Sequence, residues 1–160
     1  MQTPLGIFIL IVVAITAGAS IFVSSQADAY PNDYVAPVSS AEYEHAIVAI
    51  GGTIVTAEIV DTKEKLELGL SGREGLSFNK GMLFVFPKTG YHSFWMKDMS
   101  FPIDIIWLSK EKRVVSIAEK VSPDTYPKDF TPQSPALYVL ETPSGFVSAH
   151  AISIGTPASW

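Results

Sequence analysis

The chain has 160 residues, 48% hydrophobic and 17% charged, with 11 Gly, 11 Pro and no Cys, which is enough apolar material for one domain core and too little for two. Without cysteine, a disulfide scaffold, a thiolate-ligated metal and a thiol nucleophile are excluded. A net charge of −5 sets up no field that would gather a polyanion, so nucleic acid is not an expected partner.

Residues 1–27 contain no Asp, Glu, Lys, Arg or His. Within them Leu5–Val23 is an almost unbroken apolar run, roughly 28 Å long as a helix and close to the thickness of a bilayer's hydrocarbon core. A helix inside a soluble domain shows a polar face, whereas here only Gly6, Thr16, Gly18 and Ser20 interrupt. The segment therefore reads as an N-terminal hydrophobic helix that holds the chain in a membrane, N-terminus in and C-terminus out. A cleaved secretory signal is the alternative. Its apolar part is ordinarily shorter, although Ala27-Asp28-Ala29 offers the small–x–small pattern of a cleavage site. Both readings place the remainder outside the cytoplasm, either membrane-anchored with an extracytoplasmic domain or secreted.

Residues 28–44 carry Pro31, Pro37 and Ser39-Ser40 with little apolar periodicity, the pattern of a flexible stalk. From 45 to 160 the chain changes to short β-branched and aromatic runs bounded by turn residues. That pattern predicts an all-β domain with minor α content: a compact sandwich or barrel-like arrangement of short strands with one short helix near 62–70. Ala46–Ile50 and Thr53–Val60 read as a hairpin around Gly51-Gly52, because paired glycines supply the positive φ of a two-residue turn. Asp61 or Thr62 caps the helix, Leu66 and Leu70 form its buried face, and Gly69 and Gly72 end it. Further strands are expected at Met82–Phe86, Tyr91–Lys97, Ile103–Leu108, Val114–Glu119 and Ala136–Thr142. The four prolines between Ser122 and Pro135 make that stretch a surface loop. Phe146–Ala151 reads as a helical turn and Ile152–Ile154 as a closing strand.

Charged residues stand where the strand pattern calls for apolar ones. Asp104 shares a face with Ile106 and Leu108, Glu141 with Val139, and Lys97 with Trp95, if each run is extended. A carboxylate in such a place is costly unless partnered. Asp104 and Glu141 as proton acceptors, with Arg73 and Lys97 as anion binders and Trp95 beside them, would form a site. The plainer alternative is that these charges neutralise one another and fix strand register. Tyr91, Phe94, Trp95, Phe101 and Trp107 either stack on a ligand or fill the core. The three histidines lie far apart in sequence with no zinc spacing, so no metal or cofactor is expected. Ser71 lacks the context of a nucleophile elbow.

Six ordered motifs carry a resemblance. They are Gly69-Leu70 followed by Arg73; Gly81-Met82-Leu83-Phe84-Val85-Phe86; Phe94-Trp95-Met96-Lys97; Pro102-Ile103-Asp104-Ile105; Tyr138-Val139-Leu140-Glu141; and Ile154-Gly155. Over about residues 54–155 the chain resembles the family called domain of unknown function 192. The family pattern has Asn-Thr where this chain has Asp98-Met99, and usually Asp where it has Thr156. The resemblance implies a compact β-domain that often follows a signal or anchor, and it implies no activity. Arg73, Lys97, Asp104 and Glu141 all fall on its motifs.

Three functions follow as expectations. In the first, an exported and membrane-tethered domain binds a ligand or envelope partner through a cleft formed by Arg73, Trp95, Lys97, Asp104 and Glu141. The second is an envelope enzyme acting on a glycan or peptide by carboxylate acid–base chemistry. The third is a structural or assembly protein.

Overall fold

The computed structural model describes residues 43–160; the apolar run Leu5–Val23 and the stalk up to residue 42 lie outside them. In chain order the elements are β1 (His45–Ile50), β2 (Thr53–Val60), α1 (Lys63–Leu68), β3 (Lys80–Gly90), β4 (Ile103–Leu108), β5 (Val114–Val121), β6 (Ala136–Pro143), α2 (Phe146–Ala149) and β7 (Ala158–Ser159), with a 3₁₀ turn at Pro123–Thr125. Gly51 and Gly52, at φ of 57° and 76°, make the predicted β1–β2 hairpin turn. Thr62, not Asp61, caps α1: its Oγ1 accepts from the Lys65 amide.

The strands form one seven-stranded sheet in the order β5-β4-β6-β3-β2-β1-β7. β2 and β3 are parallel, and α1 with the loop after it supplies the crossover that such a pair requires. The other neighbouring pairs are antiparallel. The sheet curls until the C-terminal segment reaches both of its ends. Ala158 and Ser159 pair with Ile50 and Ala49 of β1, while the Ala158 amide donates to the Lys112 carbonyl and the Val114 amide to that of Thr156. The domain is thus barrel-like, built from one curled sheet and not from two stacked ones.

Each face of the sheet carries its own core. Val60, Met82, Phe84, Ile103, Ile105, Trp107 and Val139 pack on one face, together with Leu70 and Met96 from loops. Val48, Ile50, Val55, Leu83, Ile106 and Leu140 pack on the other, against Phe146, Val147 and Ile152. β4 is buried at all six positions, as its nearly continuous apolar sequence requires for a strand covered on both sides.

Three expectations need correction. Tyr91–Lys97 is not a strand. It is an irregular segment touching the fold by a single bridge, Phe94 to Phe130, while the Trp107 indole donates to the His92 carbonyl; indole and core aromatics hold this stretch in place of a ladder. The closing strand is Ala158–Ser159 and not Ile152–Ile154, because Ile152 turns into the second core instead. Tyr43 and Glu44, read from sequence as stalk, belong to the β-domain: Tyr43 is buried in the first core, and the Glu44 carbonyl accepts from the Ile59 amide.

Candidate functional site

Strand register decides which charges can meet. Glu58 pairs with Met82, Met82 with Glu141 and Glu141 with Ile105, so these four residues form one row on the face of the first core. Asp104 pairs with Thr142, one residue along, and side chains alternate. Asp104 and Glu141 therefore point to opposite faces and cannot act as a pair.

Asp104 is fully buried and its two oxygens are both engaged by backbone. Oδ1 accepts from the Lys120 amide at 2.7 Å, and Oδ2 from the Val147 amide at 2.9 Å. Lys120 sits at φ 52° beside a register shift between β4 and β5, an irregularity that frees its amide from the ladder. Val147 lies in the first turn of α2, whose N-cap, Gly145, has no side chain to offer. The carboxylate thus acts as a remote cap that ties β4 to β5 and α2. The buried acid flagged from sequence is explained by the fold.

Glu141 is the opposite case. It is only 5% exposed, and its Oε2 has no hydrogen-bond partner among the described residues. Burial pushes its carboxyl up to about 8, against the opposing pull of the Arg73 charge. Arg73 is near enough to exert that pull, but it is committed elsewhere. Its two terminal nitrogens donate to both oxygens of Glu58, at 2.8 and 2.6 Å, the two-pronged geometry that a planar guanidinium makes with a carboxylate. Those hydrogen bonds hold Arg73 above its ordinary range despite desolvation. The Tyr43 ring lies 5.5 Å from the guanidinium carbon. Its hydroxyl, buried beside Arg73, is outside hydrogen-bonding geometry.

The loops that carry Arg73 are cross-linked. Ser100 Oγ donates to the Arg73 carbonyl, the Gly72 amide to the Asp98 carbonyl, and Ser71 Oγ to the Lys97 carbonyl. Lys97 therefore touches this loop through its backbone, with its side chain in solvent. Trp95 is 53% exposed and packs edge-on against Tyr126. Neither side chain lines the groove that opens over the Arg73–Glu58 pair. That groove has a volume of about 440 Å³, and His45, Thr56, Ser77 and Lys80 complete its polar walls.

Of the five residues expected at the site, the structure brings Arg73 and Glu141 together and disperses Asp104, Lys97 and Trp95. It adds Tyr43, Glu58, His45 and Lys80. Glu58 gave a weaker signal than Asp104, since it shares a face of β2 with Thr56 and Val60 that is buried only at Val60. Tyr43 carried no signal, lying within a stretch that reads as stalk. Among the described residues, no group of three His, Asp or Glu side chains is placed to hold a metal ion.

Residues 46–160 match the model of domain of unknown function 192, described as "Uncharacterized ACR". No curated protein matches the chain. Two crystal structures share the fold. One, from Sinorhizobium meliloti 1021, is named as a candidate transcription regulator; it is 26% identical, with 78% of this chain and 97% of that chain covered, at a TM-score of 0.70. The other is a protein of unknown function from Novosphingobium aromaticivorans DSM 12444, also 26% identical, with 78% and 91% covered and a TM-score of 0.72. The two departures from the family pattern fall where local geometry explains the residue present. Asp98 occupies left-handed backbone at φ 55°, where Asn and Asp are the favoured residues with a side chain. Thr156 Oγ1 accepts from the Ser153 amide, a role that a carboxylate also fills.

Proposed function

On the premise that the chain belongs to the domain of unknown function 192 family, we propose that it is a ligand-binding module, tethered to a membrane by Leu5–Val23 with the β-domain on the extracytoplasmic side. Its ligand, a small molecule or a segment of an envelope partner, occupies the groove over Arg73 and Glu58. One observation carries this reading: an arginine held by loop hydrogen bonds and a two-pronged ion pair stands in the wall of an open groove. Sites of this kind place a few fixed polar groups within a concave surface. The acid–base alternative has less support, because Asp104 and Glu141 face opposite ways. The name of the Sinorhizobium relative does not turn the reading toward nucleic acid, since this chain carries a net charge of −5.

The test is an NMR titration of the isotope-labelled full chain in lipid nanodiscs with short glycans and peptides. Binding at the groove predicts saturable shifts at the amides of Thr56, Glu58, Arg73, Ser77 and Lys80. Saturable shifts confined to another surface, such as Trp95 and Tyr126, or no saturable shift with any fragment, contradict it.

A further inference from the structure

The polar groove is one end of a longer uncovered track on the same face of the sheet. Three successive rows of side chains run across β1, β2 and their neighbours on that face. The first is Met82–Glu58–His45, the second Lys80–Thr56–Ile47, and the third Ile54–Ala49–Ser159. Rows two residues apart are about 7 Å apart, so the track from Glu58 to Ile54 is about 14 Å long. Its chemistry changes steadily along that length. The first two rows bring Arg73, Lys80 and His45 against the single carboxylate of Glu58, and Lys80 has no ion-pair partner among the described residues. The third row borders a second groove of about 520 Å³ at the β1–β2 turn, lined by Ala49, Ile54 and Ser159 of this face together with Ile50 and Ala158 of the other.

Elsewhere on this face Val60, Met82, Phe84 and Ile105 are sealed within the first core. Here Ile47 and Ile54 are 58% and 59% exposed. Isolated exposed isoleucines are unremarkable, but Ile54 lines the second groove and Ile47 stands in the row between that groove and the cationic one. Concavity at both ends suits a small ligand better than the flatter, larger contact of a protein partner.

We propose that the ligand is a single-chain amphiphile with an anionic head. The head lies against Lys80, beside the Arg73–Glu58 pair, and the aliphatic chain runs past Ile47 and Ala49 to Ile54. This rests on the binding-module reading and names the ligand class for it.

The probes are n-alkyl carboxylates from butanoate to octanoate, titrated into the full chain in nanodiscs with methyl and amide NMR shifts as readout. Octyltrimethylammonium serves as the control that enters the discs but carries the opposite charge. The expected result is saturable shifts at the Ile47, Ala49 and Ile54 methyls and the Lys80 amide, with affinity rising about twofold or more per methylene, as burial of a hydrocarbon chain requires. Lys80→Glu weakens octanoate at least about tenfold, whereas Lys110→Glu, at an exposed hairpin tip, leaves it unchanged. Affinity independent of chain length, with shifts only at Arg73 and Lys80, overturns the amphiphile and leaves the binding module standing. Equal shifts with octyltrimethylammonium also overturn it, as mere apolar partitioning. No saturable shift with any carboxylate overturns it too, and the glycan and peptide titration then decides the broader reading separately.

Discussion

Asp104 and Glu141 lie on adjacent rows of neighbouring strands, both almost wholly buried, yet their surroundings have opposite consequences. Asp104 faces the second core and accepts two backbone amides. Glu141 faces the first core, leaves Oε2 unpartnered and is pushed up to about 8. Burial alone therefore does not mark a buried acid as functional; what decides is whether the fold has spent its lone pairs. Tyr43 and Glu141, each with an oxygen unpartnered among the described residues, lie on the side of the sheet with the groove, whereas the unpartnered Thr142 hydroxyl lies on the Asp104 side.

The largest effect that would sharpen this contrast is expected from Asp104→Ala. It orphans two buried amides and should cost about 2–5 kcal/mol in chemical denaturation, with Asp104→Asn, which keeps one acceptor, costing clearly less. A loss under about 0.5 kcal/mol would mean that the two amides find other partners. Glu141 should act through pH. Its carboxyl titrates near 4.5 when unfolded and near 8 when folded, so between those values the folded protein binds more protons and stability falls as pH rises, by up to about 1 kcal/mol per pH unit, levelling off above 8. Glu141→Gln should flatten that slope, and thermal denaturation between pH 5 and 9 measures it; an equal slope in the variant would break the contrast. The smallest effect belongs to Lys97→Ala. With its side chain in solvent, the change should stay within about 0.5 kcal/mol, and a larger loss by the same denaturation assay would put Lys97 back into a charge cluster.

The readable parts of this fold were those governed by local rules. The double glycine at 51–52, the apolar run Ile103–Leu108 and the proline-rich loop from Ser122 each state their conformation within a few residues, and each is found in place. Tyr91–Lys97 misled because its aromatics suit a strand, while long-range contacts to Phe130 and Trp107 hold it irregular. The site was half legible for a related reason. Alternation within one strand flags a misplaced charge, as it did for Asp104 and Glu141, but the face to which each turns depends on register between β4 and β6, which no single strand encodes. Arg73 was recognisable as a candidate, whereas its partner Glu58, fifteen residues earlier on another element, was fixed only by the crossover between β2 and β3.

The most direct test of the account is the titration of the Glu141 side-chain carboxyl, followed by carbon NMR in the full chain and in Glu58→Gln. If Arg73 is committed to Glu58, the midpoint lies near 8 in the native chain and drops in the variant, where the guanidinium is released toward Glu141. A midpoint near 4.5 in the native chain would mean that Glu141 already has a partner, and the contrast between a satisfied Asp104 and an unsatisfied Glu141 would not hold.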